Sequence, residues 1–132
     1  MAEERKSKIL IAEDDRFISR AYKDGLTRAG FDVETVANGD AVLEKLKEFN
    51  PDLLLLDIIM PGKNGYEVLE EIRVGKLLSR NIPVIILSNL GEDTDIEKGK
   101  ALGANDYLIK SDFSMKEVIE KVKFYLAKKA NR

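Results

Sequence analysis

Short apolar runs punctuate this chain, and each one stops at a charged or hydroxyl-bearing residue. Lys8 to Ala12 (KILIA) runs into Glu13, Asp14 and Asp15, and Asp52 to Asp57 (DLLLLD) is four leucines bounded by acids. Ile82 to Ser88 (IPVIILS) ends on a hydroxyl and Tyr107 to Lys110 (YLIK) on an ammonium. Runs this short and continuous predict strands buried on both faces, as in a parallel sheet. Phe31 to Val36 alternates instead, which predicts a half-buried strand, and Asn38-Gly39 predicts a turn after it. Pro83 stands near the start of its run, where a missing N–H is tolerated.

Between these runs the spacing changes to that of helices. Ile18, Ala21, Tyr22, Gly25, Leu26 and Ala29 form one stripe with Gly30 as its stop, and Val42, Leu46 and Phe49 mark a second. After the Met60 to Gly65 loop (MPGKNG), Val68, Leu69 and Ile72 predict a third helix reaching toward Leu78. A short polar helix is expected from Thr94 to Leu102, closed by Gly103. Met115, Val118, Ile119, Val122, Tyr125 and Leu126 give the last helix the cleanest stripe. Five strands alternating with five helices predict an α/β domain of right-handed βαβ units, with helices on both faces of a parallel sheet.

Composition narrows the chemistry. The chain has 132 residues, the size of one compact domain, and we expect a single domain with its core over about residues 7–128 and loose charged ends. Its 22 Lys plus Arg against 24 Asp plus Glu leave a net charge of -2, which argues against a nucleic-acid binder. The lysines at 116, 121, 123, 128 and 129 read as the wet face of the last helix. Zero cysteines and zero histidines exclude disulfides, thiolate or imidazole metal sites and any histidine catalyst. The charged start, MAEERKSK, is no secretory signal, and no run spans a bilayer, so the expected location is cytoplasmic with no membrane contact.

In an open parallel sheet, sites form at the C-terminal strand ends, near the point where strand order reverses. Those ends carry Glu13 and Asp14, Asp57, Ser88 and Lys110. Taken singly, each has a plain structural reading: Asp14 or Asp15 as a helix cap, Asp57 as a turn residue, Ser88 as a loop hydroxyl, Lys110 as a solvated charge. Together they are the groups phosphoryl chemistry needs, because crowded carboxylates call for a hard cation and oxygen-only ligands favour Mg²⁺. An aspartate can itself accept the phosphoryl group.

KILIAEDD at Lys8 to Asp15, LLLLDIIMPGKNG at Leu53 to Gly65, VIILS at Val84 to Ser88 and DYLIK at Asp106 to Lys110 carry a resemblance. In this order and at these separations, the chain resembles a single-domain, chemotaxis-regulator-like receiver domain of bacterial two-component response regulators, over about residues 7–128. The resemblance implies a flavodoxin-like sheet of order 2-1-3-4-5 and Asp57 as the residue phosphorylated by a partner histidine kinase or phosphotransfer protein. It implies that Glu13 and Asp14 are the acidic pair, and that Asp14, Asp57 and the backbone carbonyl of Ile59 hold Mg²⁺. Ser88 and Tyr107 match the two switch positions, and Lys110 the lysine that pairs with the phosphoryl group. A downstream protein would bind the face of the fourth helix, fifth strand and fifth helix. On this reading the protein is a switch that catalyses only its own phosphorylation and dephosphorylation.

The chain departs from the family pattern at two positions: Ser111 replaces a proline that usually follows a cis bond, and Asn89 replaces a small residue. A cis bond before serine costs roughly 3–4 kcal/mol, against about 0.5–1 before proline, so we expect a trans Lys110–Ser111 bond and a rearranged loop over Ser111 to Phe113. Two other classes fit less well. A dehalogenase-type phosphatase would put its nucleophile after the first strand and add a cap. A flavodoxin-like cofactor binder would carry a Ser/Thr/Gly-rich phosphate loop where this chain has acids. Asp93-Thr94-Asp95 before Gly99 is out of register for a calcium loop. Met1 and the lack of a linker lead us to expect a standalone domain.

Overall fold

The computed structural model describes residues 5–130. Five parallel strands, β1 (Lys8–Ala12), β2 (Asp32–Val36), β3 (Leu53–Leu56), β4 (Val84–Ser88) and β5 (Asp106–Ile109), form one sheet of order β2-β1-β3-β4-β5. They alternate with α1 (Arg16–Arg28), α2 (Val42–Phe49), α3 (Gly65–Val74), α4 (Asp93–Ala101) and α5 (Met115–Ala130). Both the doubly wound sheet and its strand order are as expected.

The period-2 geometry of a strand explains why the inner runs are apolar throughout. Leu54 and Leu56 of β3, with Leu10 and Ala12 of β1 and Ile86 of β4, point to the face covered by α2, α3 and α4. Leu53 and Leu55, with Ile9, Ile11, Ile85 and Leu87, point to the opposite face, against Leu26 of α1 and Val118 and Val122 of α5. Every residue of β3 and β4 is buried, whereas the edge strand β2 begins on exposed Asp32. Two apolar layers thus sandwich a sheet with no wet face on its inner strands.

Boundaries differ from expectation in three places. The Asn38-Gly39 turn is the start of a short 3-10 helix (Gly39–Ala41), whose first N–H groups are capped by the Asn38 side chain at Ala41 N, 2.9 Å away. A Cβ on Gly39 would collide with the backbone carbonyl of Lys63, so this turn is seated directly on the loop after β3. The third helix stops at Val74 rather than running toward Leu78; Gly75 and Leu77 are extended and a separate 3-10 turn spans Leu78–Asn81. Arg73, in the last turn of α3, reaches out to the carbonyls of Ile82 at 2.7 Å and Gly103 at 2.8 Å, fixing that exit from outside the helix. At the C-terminus, α5 remains helical through Ala130, beyond the expected core limit, while the outermost expected loose ends at 1–4 and 131–132 lie outside the described residues. Among the described residues no helix is long and apolar enough to cross a membrane.

Candidate functional site: an acidic cleft at the C-terminal strand ends

The sheet register assembles the site. β1 and β3 are neighbours, with Ala12 opposite Leu56, so the next residue of each, Glu13 and Asp57, emerges on the same edge. The Asp57 N–H donates to the Ala12 carbonyl at 3.0 Å and extends the ladder to Asp57 itself. β1 leads outward to β2 on one side and β3 lies on the other, so this edge is the topological switch point of the sheet. Across the next strand pair, Ser88 lies opposite Ile109, and Lys110 follows one residue later.

Glu13 and Asp57 are buried at 4% and 6% exposure, although both are carboxylates. One Asp57 oxygen, Oδ1, accepts from its neighbours' N–H groups, Ile58 at 2.7 Å and Ile59 at 3.4 Å. The other, Oδ2, accepts from Lys110 Nζ at 2.8 Å. The same ammonium donates to Glu13 Oε1, while Glu13 Oε2 accepts from the Asp15 N–H at 3.0 Å. Asp14 is exposed, and its carboxylate makes no hydrogen bond or ion pair with the described residues. Asp15 caps α1, its Oδ1 accepting from Phe17 and Ile18 N–H groups at 2.9 and 3.0 Å. Of the four acids Glu13, Asp14, Asp15 and Asp57, only the Asp15 side chain caps a helix.

Burial pushes the Glu13 carboxyl above its ordinary value, and the Lys110 hydrogen bond offsets this only in part. Burial works against the Lys110 charge too, but its bonds to Asp57 and Glu13 prevail and hold its pKa above the ordinary lysine value. One ammonium therefore bridges two carboxylates, and a third stands beside them: one oxygen from each of Glu13, Asp14 and Asp57 lies within 4.8 Å of the others. A set of hard oxygens this close, with an excess of negative charge and one exposed member, suits a hard divalent cation.

The residues singled out in the sequence do not all share this cleft. Glu13, Asp14, Asp57, Ile59, Ser88 and Lys110 line it. Tyr107 does not: it lies behind, buried under the β4–α4 loop, and donates to the Leu90 carbonyl at 2.6 Å. Ser88 is 1% exposed, and its Oγ accepts from the Leu90 N–H at 3.4 Å. Leu90 thus touches both expected switch residues, and no motif in the sequence marks it. Tyr66, at the start of α3, is a second unmarked residue; its hydroxyl donates to the Asp95 carbonyl of α4 at 3.0 Å. The two phenols perturb one another, and burial together with the Tyr66 hydroxyl drives Tyr107 well above the usual phenol range. No cis peptide bond occurs among the described residues, so Lys110–Ser111 is trans, as expected; a 3-10 turn spans Lys110–Asp112.

Comparison with known proteins agrees with this geometry. Residues 9–123 match the family model of the response regulator receiver domain. The chain is 42% identical over 125 residues to the transcriptional regulatory protein CpxR homolog of Haemophilus influenzae, covering 95% of this chain and 52% of that protein. A CheY-like response regulator receiver domain protein from Methanospirillum hungatei superposes with a TM-score of 0.88 at 26% identity, covering 96% of this chain and 98% of that one. The BeF3-activated N-terminal receiver domain of RstA from Klebsiella pneumoniae gives 0.83 at 28% identity, covering 91% and 98%. The chain spans about half the length of the curated relatives it matches.

Proposed function

This chain belongs to the response regulator receiver domain family, and on that premise we propose that Asp57 is its phosphoacceptor, served by Lys110, Ser88 and a Mg²⁺ site at Asp14, Asp57 and the Ile59 carbonyl. Receiver domains of two-component systems pair with histidine kinases, which fits a chain with no histidine of its own. The observation that carries the reading is the partnering of Asp57. Its Oδ1 is held by backbone N–H groups and its Oδ2 by Lys110, inside a cleft with two further carboxylates.

In the proposed step, an Asp57 oxygen attacks phosphorus of a phosphohistidine. A P–O bond forms, the P–N bond breaks, and its electron pair returns to the imidazole nitrogen. Bound Mg²⁺ would neutralise charge on the transferring group. Lys110 would move with its charge from the carboxylate to a phosphoryl oxygen, and Ser88 Oγ would donate to another. Glu13, whose oxygens accept from Lys110 and the Asp15 N–H, completes the acidic set beside Asp14 and Asp57. The domain makes no product beyond its own acyl phosphate and the phosphate released from it. Ser88 and Tyr107 both meet the β4–α4 loop, which supports transmission to α4 and to a partner on the face of α4, β5 and α5.

Incubation with acetyl phosphate and Mg²⁺ tests this. We expect one base-labile phosphoryl group per chain, loss of labelling on chelation, and none on folded Asp57→Asn. Asp14→Asn should weaken Mg²⁺ binding and slow labelling. Normal labelling of folded Asp57→Asn would overturn the assignment.

A further inference from the structure

The loops after β4 and β5 carry Ser88 and Lys110, and the two residues at which this chain departs from the family pattern meet between them. The Ser111 backbone N–H donates to Asn89 Oδ1 at 3.2 Å. Between residues 89–92 and 110–114 this is the one hydrogen bond among the described residues. It requires an N–H, which a proline at 111 would lack, and an acceptor, which an alanine at 89 would lack. It also involves neither Glu13 nor Asp57.

That independence matters because the Lys110 side chain is held only through its ammonium, and beyond the end of β5 its backbone carbonyl meets only the local Phe113 N–H, at 3.5 Å. Both of its partners are carboxylates whose charge would be taken up when a cation or a phosphoryl group enters the cleft. Lysine is a flexible point charge, so its aim at that moment depends on how firmly the loop that carries it is held. The peptide that follows it is anchored to Asn89, which itself lines the cleft beside Ser88.

Resting on the phosphoacceptor reading above, we propose that Asn89 is a positioning residue: through the Ser111 N–H it holds the Lys110 loop in register with the acceptor when the ion pairs to Glu13 and Asp57 are released. Among the described residues Asn89 makes no hydrogen bond to the carboxylates, so its contribution falls on the rate of phosphoryl transfer and not on cation binding.

The test compares acetyl phosphate labelling at saturating Mg²⁺ with Mg²⁺ affinity in the wild type, Asn89→Ala, Ser111→Pro and their double variant, with Lys110→Ala alongside. Asn89→Ala should label about three- to tenfold more slowly, the size of one neutral hydrogen bond, at unchanged Mg²⁺ affinity. Ser111→Pro should lose about as much, and the double variant no more than either single one, because both delete the same bond. The Ser111 amide should exchange with solvent faster in Asn89→Ala, a readout that stands even where Ser111→Pro does not fold. Wild-type labelling by Asn89→Ala, an unchanged Ser111 amide, or a parallel loss of Mg²⁺ affinity would overturn the proposal. Lys110→Ala separates the two readings: its normal labelling would remove the phosphoacceptor mechanism itself, whereas its loss beside an active Asn89→Ala removes only the role of Asn89.

Discussion

At the C-terminal end of β3, Asp57 follows a strand whose four residues are all buried, whereas α4, on the far side of the same edge, adds Gly99 alone to the buried set. Asp57 is also clamped from outside. The Gly39 turn lies on Lys63 of the loop after β3, and the Gly65 N–H donates to the Ile58 carbonyl at 2.9 Å. α4 has a thinner seat: half-buried Ile96, close contact of Gly99 with Ile86 and Tyr107, and the Tyr66 bond to Asp95. Its start rests on a capping box between Glu92 and Asp95, which is local to the helix. On the proposed function, the difference teaches how one small domain can hold a reacting group fixed while keeping a more loosely seated element to respond to it. Positioning a carboxylate for transfer needs a rigid frame, and a readout needs an element of low local stability.

The sharpest way to break this contrast is to truncate one apolar side chain on each side. Leu55→Ala, in the middle of β3, should destabilise by about 2–5 kcal/mol, because a fully buried leucine leaves a cavity. Ile96→Ala, on half-buried α4, should cost below about 1 kcal/mol. Urea unfolding of both variants decides it, and equal losses would mean that α4 is as firmly packed as the core. Hydrogen exchange sharpens the same point without mutation. Amides of α4 should exchange at least about tenfold faster than those of α3.

A smaller effect is expected at Tyr66. Tyr66→Phe keeps the ring and removes the hydroxyl bond to Asp95, so it should cost about 1 kcal/mol. It should also speed exchange in α4 while leaving α1 unchanged. Uniform acceleration across the domain would assign Tyr66 to the core and not to the seat of α4.

A separate effect appears only at alkaline pH. Burial, with a hydrogen bond to Asp106, pushes the Tyr125 phenol up to about 12. Its folded value lies above its unfolded value of 10.0, so the stability it confers is complete below about pH 10 and lost as pH rises toward 12. Tyr125→Phe should flatten the fall in stability over that window. An unchanged slope would place the loss at the other three tyrosines, which are also shifted upward.

Much of this frame was legible in the sequence because parallel strands buried on both faces advertise themselves as unbroken apolar runs. The positions where those runs break, Glu13, Asp57, Ser88 and Lys110, are the cleft. Tyr107 was legible only by resemblance, and the structure puts it behind the cleft, not in it. Other parts depend on contacts between loops, which leave no periodic trace. Leu90 engages Ser88 and Tyr107 through its backbone, so its side chain carries no signal. Tyr66 looks like any aromatic residue opening a helix. The end of α3 was misjudged because Leu77 and Leu78 extend the helical spacing, while Arg73 fixes the chain's exit by bonds to distant carbonyls. Asn89 and Ser111 each stood out as departures, but nothing in the linear order, 22 residues apart, pairs them.

The central claim is that the clamped carboxylate of Asp57, among several acids within reach, is the one that reacts. The most direct measurement locates the phosphoryl group itself. The domain is labelled with acetyl phosphate and Mg²⁺, the acyl phosphate is reduced with borohydride, and the modified residue is found by peptide mass spectrometry. The account predicts a single reduced residue, at Asp57, in the peptide that contains Leu53 to Leu56. Modification at Asp14, Asp15 or Glu13 in place of Asp57, or a stable phosphoester at Ser88, would contradict it.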